Sequence, residues 1–204
     1  MRARWPQSAR MTFKPRPASR RLTIILDPGH GSVANAGLPG DPGAVGNNTT
    51  ESAANLLMCL TLKWALAEAG HTVYLTRTDE RRPSWPARTN LMGRADLYLS
   101  VHHDTTKGRS MAYYAGGADH AGGPNPTLSR KFADCLDGVL PDPEFIVLPD
   151  TASRHGRLYI RGVLAPVAVM WEVDPVHVST TPERIERAKS FLNALELACA
   201  RGVL

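Results

Sequence analysis

The chain has 204 residues, 43% hydrophobic and 21% charged, which fits one globular domain with a full core. Its net charge is +5, yet the first 21 residues hold seven basic residues and no acidic one, so the remainder is slightly acidic. This distribution argues against a nucleic-acid-binding core. Three scattered cysteines argue against a disulfide framework, and no apolar run approaches the roughly 18 residues that a membrane span needs.

The N-terminal segment differs in composition from the rest of the chain. Residues 1–20 show no hydrophobic period and are rich in Arg, Pro and Ser, which predicts a flexible basic tail before a folded domain at 21–204. No apolar stretch follows the basic residues, so the segment is not a recognisable secretory signal, and we expect synthesis in the cytoplasm. The positive charge suits contact with an anionic cell envelope.

The body of the chain alternates strand-like and helix-like segments. Residues 28–50, rich in Gly, Pro and Asn, predict a long loop. The segment at 165–173 is nearly all apolar and therefore predicts a central strand. Together the segments indicate a single α/β domain whose mixed, mostly parallel sheet has helices on both faces. Strands are predicted at 22–27, 71–77, 96–102, 110–115 and 165–173, and helices at 51–69, 85–93, 126–140 and from 181 onward.

Polar side chains stand where three of the predicted strands end. The segment TIILDPGHGS leads to His30, LYLSVHHD leads to His102, and VAVMWEV carries Glu172. Glu51 opens the first helix, directly after the long loop. Because the carboxyl ends of parallel strands meet at one edge of a sheet, these four side chains can converge there. Two histidines and a glutamate form the ligand set of a catalytic zinc ion, and a further glutamate is the base that such a site requires.

Each of these residues also has a plainer interpretation. A single histidine at a strand end is commonly a hydrogen-bonded surface residue, and Glu51 suits the positive end of a helix dipole. Glu172 is harder to explain without a partner or a function, because its neighbours in the strand are apolar. The pattern alone leaves both a metal site and a set of structural residues open.

Five segments together resemble the zinc-dependent N-acetylmuramoyl-L-alanine amidases of the Amidase_3 type, which include bacterial cell-wall amidases and phage endolysins. The segments follow the family's order over essentially residues 22–200: ILDPGHG, PGDPGAVGNNTTESAANL, GHTVYLTRTD, RADLYLSVHHD and LAPVAVMWEV. The resemblance implies one zinc ion held by His30, Glu51 and His102, with Glu172 as the catalytic residue.

The chain departs from the family's pattern at several places. His103 stands where the family commonly has alanine; it should point to the opposite face of its strand, so that a supporting or solvent-facing role is expected rather than ligation. After Glu172 the residues Val-Asp-Pro replace the usual Gly-Phe, which leaves the shape of the substrate rim open. The stretch SVANAGLP, between His30 and Glu51, is expected to form part of the groove wall.

The resemblance implies hydrolysis of the amide bond between N-acetylmuramic acid and L-alanine in peptidoglycan. Since the sequence shows no leader and no wall-binding repeat, we expect a phage or prophage endolysin that reaches the periplasmic or extracellular cell wall and acts as a monomer. Two alternatives differ in class: a zinc peptidase that cuts within the stem peptide, and a catalytically silent wall-binding module.

Overall fold

The computed structural model of the protein describes residues 15, 18–46, 49–90, 95–103, 110–140, 144–173 and 180–204. The strands are β1 (Thr23–Pro28), β2 (Val45–Gly46), β3 (Thr49–Thr50), β4 (Thr72–Leu75), β5 (Leu97–His102), β6 (Met111–Tyr114), β7 (Ile146–Pro149) and β8 (Val167–Glu172). The α-helices are α1 (Glu51–Glu68), α2 (Trp85–Thr89), α3 (Pro126–Asp137) and α4 (Thr181–Ala200). Two 3-10 helices lie at Asp150–Ala152 and Tyr159–Gly162.

Six strands form one mixed sheet in the order β4-β1-β5-β8-β6-β7. The first four are parallel, whereas β6 runs antiparallel to β8 and parallel to β7. The apolar strand β8 lies inside the sheet, as predicted. Because β1, β5 and β8 are adjacent and parallel, their carboxyl ends meet at one edge, and the loops that follow them share that edge.

The two faces of the sheet are covered differently. The long helices α1, α3 and α4 pack on one face around a core that includes Met58, Phe132, Trp171 and Phe191. A second, smaller core on the other face includes Tyr98, Met170 and Ile160, and it lies under the second 3-10 helix, which α2 contacts. The predicted α/β domain with helices on both faces is confirmed, with only short helices on the second face.

Short irregular elements were not predicted from the sequence. Strand β7 is a four-residue edge strand that ends in proline, so it carries too few residues to show a period. The long loop before α1 contains the small β2–β3 pair, and two 3-10 helices occupy the chain between β7 and β8. The elements that the sequence does predict, from β1 to α4, occur at the predicted places with shifts of a few residues at their ends. The last part of the predicted helix at 85–93, residues 91–93, lies outside the described residues.

The last residues of the basic N-terminal segment are attached to the folded domain. Ala18 donates a backbone hydrogen bond to the Ala69 carbonyl, and the Arg21 guanidinium donates to the Gly70 carbonyl. These contacts lie where β1 and β4 begin, at the end of the sheet opposite the carboxyl ends of β1 and β5. No described helix is long and apolar enough to cross a membrane.

Candidate active site

Three predicted side chains meet at the carboxyl edge of the sheet. His30 Nε2 lies 3.0 Å from Glu51 Oε1, and His102 Nδ1 lies 2.8 Å from the same oxygen. The two imidazole rings are edge to face, with centroids 4.9 Å apart. Each of the three residues offers one possible ligand atom, and these three atoms all lie within 4.8 Å of one another. The convergence of His30, Glu51 and His102 that the sequence indicated is therefore present.

Glu51 is positioned by the start of α1. The Thr50 hydroxyl caps the helix by accepting a hydrogen bond from the Ala53 amide, so the helix begins at Glu51 as predicted. The side chain turns back toward the preceding loop, where Glu51 Oε2 accepts a hydrogen bond of 2.9 Å from the Ala44 amide. Both carboxylate oxygens are thus held, and the residue is buried.

His30 adopts an unusual backbone conformation. Its φ of 62° is in the left-handed region, which costs roughly 1–3 kcal/mol for a residue with a side chain. That conformation turns the imidazole away from β1 and toward Glu51. The other ring nitrogen, Nδ1, lies 3.0 Å from Asp41 Oδ2. Asp41 is held in turn by the backbone amide of Gly43 and by a backbone bridge to Gly31.

Two glycines allow these side chains to approach one another. A Cβ atom at Gly29 would lie 2.4 Å from the His102 ring, a separation that real structures do not show. At Gly43, where φ is 65°, a Cβ atom would lie 2.5 Å from Glu51 Oε2 and 2.7 Å from the His30 ring. The glycines of the PGHG and DPGA segments therefore make room for the histidines and the glutamate.

Glu172 ends β8 in register with His102, the last residue of β5. Residues in register on adjacent parallel strands project from the same face, and the strands lie about 4.8 Å apart. Val169 and Trp171 point into the larger core, so the alternation of β8 places the half-buried Glu172 on the opposite face. Glu172 thus lies beside the histidine–glutamate group.

The charges of the group stabilise one another. Burial by itself would raise the pKa of Glu51, but hydrogen bonds from His102 and His30 lower it far below its ordinary value. Burial would lower the pKa of His30, whereas its contacts with Glu51 and Asp41 raise it above its ordinary value. A buried carboxylate that stays ionised attracts positive charge, either a proton on an imidazole or a cation between the ligands.

His103 does not join this group. As predicted, it points to the other face of β5, but it is buried rather than exposed to solvent. Its Nδ1 lies 2.7 Å from Asn55 Oδ1, and Asn55 donates to the Gly29 carbonyl. Burial lowers the pKa of His103 to about 4, so the imidazole is neutral at pH 7. Its role is to support α1 and the turn at Gly29.

Two buried arginines hold the turn that carries His30. Arg77 donates to the carbonyl oxygens of Pro28, at 3.0 Å, and Gly29, at 2.8 Å. Arg88, from α2, donates to those of Pro28, at 2.9 Å, and His30, at 2.5 Å. These three successive carbonyl groups lie where the chain leaves the sheet, and an unpaired carbonyl inside the protein would be costly. The two arginines supply charged hydrogen-bond donors to all three.

Asp27 anchors Arg88 beneath that turn. Asp27 is fully buried and lies 2.5 Å from Arg88, and it accepts hydrogen bonds from Thr76, Ser100 and Tyr159. Burial would raise the pKa of Asp27, but the charge of Arg88 and the hydrogen bonds from Thr76 and Tyr159 bring it below its ordinary value. The network joins β1, β5, α2, the second 3-10 helix and the residue that follows β4 at one point.

The sequence did not single out Asp41, Asp27, Arg77 or Arg88. The only signal available was the acid in TIILDPGHG, which follows a buried strand and is expensive to bury without a partner. Asp104, Asp174 and His177 lie within five residues of His102 or Glu172 in the sequence, and all three are outside the described residues.

The His30, Glu51 and His102 group fits a zinc ion by its donor set and its spacing. Two imidazoles and one carboxylate are a common catalytic zinc set, with bond lengths of about 2.0–2.2 Å that leave ligand atoms roughly 3.4 Å apart. The nitrogen–oxygen separations of 2.8 and 3.0 Å approach that value and need only a small outward shift. Asp41 behind His30 is the carboxylate partner that metal-binding histidines usually have.

A sequence-family model described as N-acetylmuramoyl-L-alanine amidase matches residues 24–145, more than half of the chain. The chain belongs to that family. It is therefore an enzyme of the N-acetylmuramoyl-L-alanine amidase class, which degrades cell-wall peptidoglycan. The matched region of the amidase contains His30, Glu51 and His102 and ends before Glu172. No curated protein sequence matches the chain.

Solved structures of two other amidases and of an endolysin domain share the fold. An N-acetylmuramyl-L-alanine amidase from Mycobacterium smegmatis has a TM-score of 0.67 and 18% identity, over 91% of this amidase and 99% of that chain. The catalytic domain of an amidase from Bacillus (Paenibacillus) polymyxa gives 0.64 and 20%, over 87% and 98%. The catalytic domain of an endolysin targeting Clostridia difficile gives 0.56 and 16%, over 86% and 97%. At such identities these likenesses show the fold.

The buried pair below the site yields a prediction about the stability of the amidase. Replacing Arg88 with alanine leaves Asp27 buried without its charged partner, so the free energy of unfolding should fall by about 3–5 kcal/mol. Arg81→Ala is the matched control, because Arg81 pairs with Asp79 at the surface, where solvent screens the pair and its loss should change stability little. Urea denaturation of both variants measures the difference; equal losses would show that the Asp27–Arg88 pair is not a main anchor.

Proposed function

We propose that this chain is a zinc amidase that hydrolyses the bond between N-acetylmuramic acid and L-alanine. His30, Glu51 and His102 would hold the zinc ion, and Glu172 would be the catalytic base. The observation that supports this assignment is the meeting of His30, Glu51 and His102 at one edge of the sheet, with Glu172 in register beside His102. The membership in the amidase family supplies the substrate class.

The arrangement divides the chemistry between the two glutamates. A zinc ion held by His30, Glu51 and His102 would supply Lewis-acid chemistry, lowering the pKa of a water molecule and polarising the scissile carbonyl. Glu51 is fully engaged by His30, His102 and the Ala44 amide, so it serves as a ligand and not as a base. Glu172 would accept a proton from the attacking water and deliver it to the departing alanine nitrogen.

A more specific part of the proposal is that the amidase acts as an endolysin. Its support is the basic segment at 1–20 together with the structural likeness to an endolysin catalytic domain. Arg20 and Arg21 lie at the end of the sheet opposite the site, and the positive charge of the segment would bind anionic envelope polymers. On host cells with a permeabilised outer layer, removal of residues 1–17 should slow lysis but leave the hydrolysis of soluble muropeptides unchanged.

The products of digestion distinguish the proposed reaction from its alternatives. Digestion of purified peptidoglycan should release intact stem peptides with free L-alanine amino termini and no new reducing sugar ends. Mass spectrometry and amino-terminal labelling measure these products. Amino termini on another residue would make the chain a stem-peptide peptidase, and binding without any product would make it a wall-binding module.

Zinc content and turnover together separate the base from the ligands. Glu172→Gln is nearly isosteric, so the variant should keep its fold and about one zinc ion per chain while turnover falls by roughly 10²–10⁴-fold. His102→Ala should lose both zinc and activity, because it removes a ligand. Elemental analysis and peptidoglycan hydrolysis are measured side by side. A folded, metal-free Glu172→Gln protein would make Glu172 a ligand, and near-normal turnover would remove it from the mechanism.

Asp41 should tune the affinity for zinc through His30. The carboxylate accepts a hydrogen bond from His30 Nδ1–H and so leaves Nε2 free to bind the metal. Asp41→Ala should weaken zinc binding by roughly 10–100-fold, with Asp41→Asn intermediate. Competition with a chromogenic chelator measures the affinity. Asp79→Ala is the control, since the Asp79 carboxylate pairs with Arg81 at the surface and contacts neither histidine; a comparable loss there would refute a specific role for Asp41.

A further inference from the structure

Three exposed apolar side chains belong to segments that contact the histidine–glutamate group or the turn that carries it. Among the described residues, the large hydrophobic side chains exposed to solvent are Val33, Val45, Leu57, Trp85 and Leu164. Val33 follows His30 by three residues, and Val45 follows Ala44, whose amide binds Glu51. Trp85, 59% exposed, is the largest of them. Of these side chains, that of Trp85 offers a ligand the broadest apolar face.

Trp85 lies at the end of the fold that carries the site. Before α2, Arg82 donates a backbone hydrogen bond to Val33 in the loop after His30. After α2, the chain reaches Asp96, whose amide binds the Thr23 carbonyl at the start of β1. Helix α2 therefore runs from the carboxyl edge of the sheet toward its amino edge. Arg88 donates a hydrogen bond to the His30 carbonyl. Trp85 precedes Arg88 by about one helical turn, so it lies on the side of the site.

The indole of Trp85 is held in a fixed orientation. Its ring lies edge to face against Tyr159, with centroids 4.8 Å apart and planes at 81°. The Tyr159 hydroxyl is bound to Asp27 and lies 2.6 Å from the Ser100 hydroxyl. Ser100 precedes His102 by two residues on β5 and shares its face. A network that positions the histidines therefore also fixes an exposed aromatic ring.

We infer that Trp85 is a glycan-binding residue, which stacks on a sugar ring of the peptidoglycan strand next to the bond that is cut. This inference rests on the proposed function, because the scissile amide there joins a sugar to a peptide. One face of a hexose presents C–H groups, and the negative face of an indole attracts such groups, as it does the positive edge of another ring. A fixed ring binds with little loss of side-chain entropy.

Binding of peptide-free glycan strands tests the inference directly. The dissociation constant of the full-length, zinc-loaded protein for soluble glycan strands should rise about five-fold in Trp85→Ala, with Trp85→Phe between that variant and the wild type. The affinity for free stem peptides should not change in either variant. On intact peptidoglycan, KM should rise by a similar factor while kcat changes little, since Trp85 does not touch the reacting atoms.

Leu57→Ala is the matched control, because Leu57 is an exposed apolar residue in the middle of α1. Thermal melting shows whether each variant is folded; if Trp85→Ala is not, Trp85→Leu replaces it, which keeps apolar bulk without an aromatic face. Unchanged glycan affinity, or weaker binding of stem peptides instead, overturns the inference. A wild-type protein that binds glycan through Trp85 but cuts no muramoyl–alanine bond rejects the proposed function and leaves Trp85 as a glycan-binding residue only.

Discussion

Two buried guanidinium groups hold the three successive carbonyl oxygens of Pro28, Gly29 and His30, and the candidate site depends on this contact. Where β1 leaves the sheet, its carbonyls lose their ladder partners but remain inside the protein. Arginine presents five donors in a rigid fork and stays charged, so Arg77 and Arg88 can satisfy several carbonyls at once. With those donors in place, His30 can keep a left-handed conformation that the chain would otherwise avoid.

The same network makes the site a property of the whole domain. Asp27 offsets the charge of Arg88. The Asp27 carboxylate also accepts hydrogen bonds from Thr76 beyond β4, from Ser100 of β5 and from Tyr159 of the second 3-10 helix, so these segments meet at one point. A buried ion pair is not a strong source of net stability, but removing one partner is costly because the other charge stays buried. The network therefore specifies one arrangement of these elements and, with it, one direction for the histidines.

Local patterns explain which parts of this structure the sequence could predict. A buried strand followed by Pro-Gly-His, or a capped helix that begins at Glu51, is determined by residues that are neighbours in the sequence. The main strands and helices, and the positions of His30, Glu51, His102 and Glu172 at their ends, were therefore predictable. Asp27 and Arg88 are 61 residues apart, and Tyr159 is 132 residues from Asp27, so their contact depends on the completed fold. Asp41 lies in a loop without a period, where only the three-dimensional path of the chain brings it to His30.

The two glutamates of the site show how environment assigns chemistry to identical side chains. Glu51 is buried, its Oε1 faces both imidazoles and its Oε2 accepts from Ala44, and its lowered pKa makes it a poor proton acceptor. Glu172 is the last residue of β8, at the carboxyl end of the strand, where it is half-buried and in register with His102. A carboxylate that must gain and lose a proton needs such a position, where water and substrate reach it. The fold thus supports a ligand role for the glutamate at the start of α1 and a base role for the one at the end of β8.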